Sequence, residues 1–443
     1  MTVTGHSGRF FPWFLLAGAA VFILWVLVFN AYRGDRGIPL WGKTEENHII
    51  KIVTPSGHSV RVLYEIAGRF SLEHPSFTVE VSLISGTTPV NTFLASKFAV
   101  GDVPDIFIYQ AGNSSELYAQ GGHLLDLSGE KFEDRFFPGT DTYCRYKGRL
   151  YALPLDISIS GLFVQMSVLW QGAVKNSEVR VIPRTFDEFI ESCEKLRAAG
   201  IRYPVVLGAT SDTGAAFFLY QYIYQNIYAE NPKAYEQMLL GGQKWTDQEF
   251  RDMYRIYGMI RRYMNPDAAR INSTEAIRRF VEGEAAYYIG ISRDIAPIRR
   301  IKRNADVLLV TPPWVNDTSR ALPVSWVDMV VSGSSATEYP EEVKAFLREF
   351  TSVYGADLYA QAVGSISTVI DSSVWYDSSL GPQNTMFTQD GLWELMSRRW
   401  LPGFEDIFRR LNQEWFTGRS ADSVLEEMER IHRRMTAAER TGL

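Results

Sequence analysis

Hydrophobic and polar positions change period several times along this chain, and the changes mark its elements. His48 to Val53 is a short apolar run closed by Thr54-Pro55-Ser56-Gly57. Beyond it Val60, Val62, Leu63, Ile66 and Phe70 recur at the spacing of a helix with one buried face. Phe77 to Ile84 alternates as a strand does, and Pro104 to Tyr109 is a second apolar strand. Strand, helix, strand, helix, strand predicts an open α/β lobe. Ligands approach such lobes at the carboxyl ends of the strands, which singles out Ser56 to His58 and Gln110 to Asn113.

Helical patterns dominate the remainder. Thr185-Phe186-Asp187-Glu188 and Thr246 to Glu249 have the form of capping boxes, the first helix closing near Gly200. Pro204 to Gly208 reads as a strand, and long helical patterns run through Arg270 to Glu284, Pro340 to Ser352 and Ala421 to Met435. The rings of Phe217 to Tyr224 surround a helix and form no single stripe, so most belong to a core or an interface. No repeat has solenoid or propeller spacing, and only the residues after Ala437 look like a tail.

Length and composition change the picture in a few places. At 443 residues the chain exceeds one comfortable core, so two lobes are expected. Hydrophobic residues at 46% and charged residues at 22% describe a folded protein. The net charge of -6, with no long basic run, argues against nucleic acid as a partner. Phe10 to Phe29 carries no charge and has the length to span a bilayer. The site for signal cleavage after it is poor and no lipidation cysteine follows, so an uncleaved anchor is expected over a cleaved signal peptide. Cys144 and Cys193 are the two cysteines, and Cys193 shares a helix face with Phe186, Phe189, Ile190 and Leu196 as a buried small hydrophobe. Six scattered histidines show no metal-type spacing, and no cofactor motif is present, so neither a metal nor a cofactor is expected.

Five segments, in order, carry a resemblance: Gly101 to Ser128, Tyr146 to Asp156, Pro183 to Ile201, Phe280 to Ser292 and Tyr339 to Ser352. Together they resemble the extracellular solute-binding proteins of ABC importers, in the sugar-binding family related to maltose-binding protein. The resemblance covers Ile49 to the end. It implies a type II periplasmic-binding-protein fold: two α/β lobes, a hinge and a ligand cleft between them. The hairpin within "YKGRLYALPLD" would finish the first lobe, and Leu153-Pro154-Leu155-Asp156 would carry the chain stiffly into the second. By the same resemblance the chain returns near Asp306 to Leu309 and leaves again near Ser332 to Tyr339. The expected division is an anchor and linker over 1–47, a first lobe over 48–155 and 304–334, and a second lobe over 156–303 and 335–443.

A sugar site asks for groups that pin hydroxyls and a ring that covers a C–H face. Trp326, in a loop that faces the cleft in the family, either does this or packs inside the first lobe. Arg293 follows Gly290-Ile291-Ser292, where relatives often place an aromatic, and points to a polar or acidic sugar unless it forms an ion pair. Gln110 and Asn113 are expected at the ligand, Asn113 also reading as a helix cap. Asp156 and Ser158 either touch ligand or fix the hinge. Ser56 follows the first strand, and His58 reads as a solvated helix start or a ligand group. Ser211-Asp212-Thr213-Gly214 replaces a Gly-Trp step of many relatives, which removes a stacking platform from the second lobe. Trp326 and Arg293 are expected to meet one ligand from opposite lobes.

The function so implied is binding a small molecule, a sugar or sugar acid, outside the cytoplasmic membrane, as a monomer, and delivering it to ABC permease subunits. A membrane-tethered sensor ectodomain partnering a receptor kinase is the alternative, with a glycosidase behind it. No Gly-x-Ser-x-Gly, phosphate loop or zinc-protease helix supports an enzyme.

Overall fold

The computed structural model describes residues 47–84, 90–175, 182–210, 212–321, 323–372, 377–380, 400–401 and 403–441. The chain divides into two units, Met1–His48 and Ile49–Leu443, and the architecture below concerns the second. The apolar stretch Phe10 to Phe29 lies outside the described residues. Among the described residues no helix is long and apolar enough to cross a membrane.

The first sheet grows from the alternation noted above. Strand β1 (His48–Thr54) leads through α1 (Gly57–Glu73) to β2 (Phe77–Leu83), and α2 (Val90–Val100) leads to β3 (Ile106–Gln110) and α3 (Asn113–Gln120). β1 and β3 run parallel with Ile52 opposite Ile106. Two short strands, β4 (Arg145–Tyr146) and β5 (Arg149–Leu150), form a hairpin whose turn is Lys147-Gly148, with φ of 49° and 80°. Left-handed backbone at both turn positions matches the twist of paired strands, and glycine adopts it without steric cost. β6 (Leu153–Pro154) then joins the first sheet, and β7 (Asp156–Gln165) begins the second.

β7 is buried along all ten residues, so both of its edges need partners. The following elements supply them only after long detours: α4 (Met166–Lys175), α5 (Phe186–Ala198), β8 (Val205–Val206), α6 (Asp212–Ile223), α7 (Ala234–Leu240), α8 (Gln248–Arg261), α9 (Ser273–Glu282), β9 (Tyr287–Ile291) and α10 (Ile295–Ile301). β9 lies antiparallel to β7, and β10 (Val307–Val310) and β11 (Val324–Val327) pair successive stretches of it. Gly161 sits where a Cβ would come 2.3 Å from Leu309 Cδ1, so the close approach of β10 requires glycine there.

Here the division expected from sequence is corrected. β10 and β11, expected in the first lobe, belong to the second sheet, and only β12 (Met329–Gly333) returns to the first, between β3 and β6. α11 (Pro340–Phe350) and α12 (Val353–Val363), expected in the second lobe, bury Phe346, Phe350 and Tyr359 in the first core. Then β13 (Ile366–Ser367) pairs with β7, while α13 (Phe404–Phe416) and α14 (Ala421–Thr441) pack on the second core. The physical reason is that Val-Leu-Leu-Val shows an apolar strand but not which open edge it completes. The chain therefore crosses between sheets at Pro154–Asp156, Val327–Met329 and around Gly364–Ser367.

Local signals fare better. Thr185 caps α5 by accepting from the Glu188 N–H at 3.2 Å, while the Glu188 carboxylate accepts from Arg184 N at 2.7 Å. α8 starts one residue later than its capping pattern, after Asp247. α14 runs through Thr441, so the segment after Ala437 continues the helix. The aromatic run of α6 is core: Phe218 stacks on Tyr257 at 4.4 Å and Tyr220 on Phe408 at 5.4 Å. Cys144 is buried in the first core and Cys193 in the second, both as free thiols.

Candidate functional site

A cavity of about 890 Å³ opens where the two sheets' crossings converge, with walls from both lobes. On the first-lobe side the end of β1 gives Pro55 and Ser56, the start of α2 gives Asn91 and Thr92, and the end of β3 with α3 gives Gln110 to Ser114. Met329 of β12 and Tyr359 and Val363 of α12 complete that wall. The carboxyl ends of parallel strands face helix starts here, which is where α/β sheets leave room for ligands. Among the described residues the second-lobe wall is Arg293, Trp400, Leu401, Gly403 and the first turns of α13 with Glu405, Asp406 and Arg409.

Four of the eight residues expected at a ligand line this space: Ser56, Gln110, Asn113 and Arg293. Asn113 sits in the first turn of α3, and its Nδ2 donates across the cleft to the carbonyl of Trp400 at 2.7 Å. That bond ties the two walls together. His58 falls instead in a separate surface hollow with Arg61, Glu65 and Gln361. Ser158 is fully buried within β7 opposite Trp326.

Trp326 is a correction. It lies on β11 in the second sheet, 5% exposed within the second core, and does not line the cavity. Its Nε1 donates to Asp328 Oδ1 at 3.3 Å. The expectation that Trp326 and Arg293 meet a ligand from opposite lobes therefore fails, because both stand on second-sheet elements.

Arg293 and Asp156 form part of a hinge cluster. Arg293 Nη2 reaches Asp156 Oδ2 at 2.9 Å and Asp328 Oδ2 at 2.6 Å. Asp156 begins β7 at one crossing and Asp328 stands between β11 and β12 at another, so one guanidinium joins two crossing segments. Asp156 Oδ1 also accepts from Met329 N at 2.9 Å. Burial pushes the Asp156 carboxyl up to about 6; Arg293 and the Met329 N–H pull it down, and Asp328 adds to the rise. Burial works against the charge of Arg293, yet Asp328 and Asp156 outweigh it and hold the guanidinium above its ordinary value. The next residue, Asp294, is pushed up to about 6 by burial, against hydrogen bonds from Ile291 N and Tyr288 OH. Arg293 thus forms the ion pairs that were the alternative to an acidic ligand, both through Nη2, while its buried Nε has no hydrogen-bond partner among the described residues.

Sequence reasoning missed Tyr359, Trp400 and the α13 charges. Arg409 Nη2 bonds Asp406 Oδ1 at 2.9 Å and stands 3.9 Å from Glu405 Oε1, while Tyr220 OH donates to Glu405 at 3.2 Å. Glycine followed by acids at a helix start was visible at Gly403 to Asp406, but no local signal turns that start toward the first lobe. Among the described residues no group of histidine, cysteine and carboxylate side chains could hold a metal ion.

Fold and cleft together define a class: a two-lobed α/β binding protein. Residues 55–353 match the family described as bacterial extracellular solute-binding protein, and the chain belongs to that family. Its members are, by that description, extracellular binders of solutes. A curated relative, an ABC transporter extracellular-binding protein of Pyrococcus horikoshii, is 23% identical over 56% of this chain. The match spans 57% of that relative's length. A chitin oligosaccharide binding protein superposes with a TM-score of 0.76 at 19% identity, covering 88% of this chain and all of its own. RafE in complex with raffinose gives 0.74 at 18% identity over 88% of this chain and 99% of its own. The binding protein MsmE of Bacillus subtilis, in an open conformation, gives 0.74 at 15% identity over 89% and 99%. At these identities the likenesses show a shared fold.

Proposed function

We propose that the chain binds a carbohydrate in the cleft between its lobes and delivers it to an ABC-type importer. The observation that carries this is the cavity itself, walled from both lobes at the ends of the first-sheet strands. A space of about 890 Å³ suits a small oligosaccharide, since ligand pockets typically span roughly 300–1,000 Å³. Gln110, Asn91 and the α13 carboxylates offer both donors and acceptors to hydroxyl groups, while Tyr359 and Trp400, each 1% exposed, back the lining from the two cores. The sugars in the titles of structural relatives and the transporter in the name of the curated relative support the same reading. Ser56, Gln110, Asn113 and Arg293 stay in the proposed site; His58, Ser158 and Trp326 leave it, and Asp156 acts through Arg293.

The uncharged stretch Phe10 to Phe29 fits this role as a tether that keeps the binding unit at the outer face of the cell membrane. Thermal-shift screening of the full-length chain against oligosaccharides, raffinose and chitin fragments among them, followed by calorimetric titration, tests the proposal. A saccharide that raises the melting temperature and titrates at one site without product formation is expected. Hydrolysis of the saccharide, or stabilisation by other solute classes alone, would reject it. Co-purification with permease subunits, as against a sensor kinase, decides the partner.

A further inference from the structure

The charges around the cavity obey one rule. Among the described residues its lining holds two arginines, Arg293 and Arg409, and Nη2 of each is bracketed by two carboxylates. Arg293 lies 2.9 Å and 2.6 Å from Asp156 and Asp328, and Arg409 lies 2.9 Å and 3.9 Å from Asp406 and Glu405. Among the described lining residues and their ion-pair partners, four carboxylates thus face two guanidinium groups. The set is net negative, and in each cluster both carboxylates converge on Nη2 of the arginine.

We infer that the cleft selects against anionic ligands, accepting uncharged or ammonium-bearing saccharides and rejecting uronic acids and phosphorylated sugars. This rests on the carbohydrate reading above and narrows it to a ligand class. A uronate entering the cleft adds a further negative charge beside carboxylates that already outnumber the guanidinium groups. Like charges brought together without solvent disfavour the wrong partner. A hydroxyl group adds no charge, and donates to whichever carboxylate oxygen is open. Discrimination of this kind comes from a repulsive element, so it does not depend on knowing every contact made to the accepted ligand.

The test is a matched panel in which one sugar skeleton is offered as neutral, amino and uronic forms, titrated into the full-length chain at pH 7.5 and low salt. The neutral or amino form is expected to bind on the order of tenfold tighter or more than the uronate. Glu405→Gln removes one carboxylate from the mouth and is expected to narrow that gap several-fold. Asp328→Asn acts on the other cluster in the same direction, and Glu405→Gln keeps the test valid if the hinge variant does not fold. A uronate that binds as tightly as its neutral counterpart, or a gap unmoved by Glu405→Gln, overturns the inference and leaves carbohydrate binding intact. If only non-saccharides bind, the carbohydrate reading falls separately: an uncharged or cationic ligand then supports the charge rule and an anion overturns it.

Discussion

Two clusters of the same composition, one arginine between two carboxylates, stand at the cleft's second-lobe wall and do different physical work. At the hinge, Asp156 is fully buried, Asp328 has 12% of its side chain exposed, and Arg293 draws two chain crossings together. At the mouth, all three groups lie within the first two turns of α13, and Asp406 is 77% exposed. Water and salt screen the second set, and helical neighbours would lie close without it. Burial makes the first set consequential, because removing one member strands the others away from water. Identical chemistry is thus a structural tie in one place and a surface charge pattern in the other.

The comparison predicts unequal costs. Arg293→Ala should destabilise the protein by about 3–5 kcal/mol in urea unfolding, since Asp156 and Asp328 lose their shared cation. A loss no larger than that of a surface substitution would break the distinction. Next in size is a pH effect. The folded pKa of Asp156, about 6, lies above the ordinary carboxyl value of about 4, so the folded state holds the proton more tightly. Its contribution to stability is complete below about pH 4 and is lost as pH rises through about 6. Two units at about 1.4 kcal/mol each make this on the order of 3 kcal/mol. Asp294 acts in the same sense, whereas Glu275, lowered to about 2 by Arg278 and Arg279, acts oppositely and below this window. Unfolding between pH 4.5 and 6.5 should therefore show a steeper fall with pH for wild type than for Asp156→Asn, and equal slopes would contradict the assignment. The smallest effect belongs to the mouth: Arg409→Ala should cost less than about 1 kcal/mol, shrinking further in high salt.

What the sequence made legible follows the range of each interaction. Helix α5, its Thr185 cap and the Lys147-Gly148 hairpin rest on contacts a few residues apart, and each could be read locally. The strand Val307–Val310 could be read as a strand, but its partner edge, Leu162–Gln165, lies far back along the chain, so its lobe could not. Arg293 drew notice because the resemblance leads one to expect an aromatic at that position. Its role stayed hidden because Asp156 is 137 residues away and no spacing announces that pair. Ser56, Gln110 and Asn113 reached the cleft by a fold rule about strand ends, and that rule is silent about a wall built by α13 from the other end of the chain. Trp326 was misplaced for the same reason as β11: an apolar strand bearing a tryptophan fits either core until its pairing with Ser158 is known.

The central claim is that one ligand is held between both walls at once. Hydrogen–deuterium exchange of the full-length chain, with and without a saturating saccharide from the thermal screen, addresses it most directly. The account predicts slowed exchange in the same titration at residues 90–92 and 110–117 on the first-lobe wall and at residues 403–409 on α13. Protection confined to one wall, or appearing instead around His58 and Arg61, would contradict it.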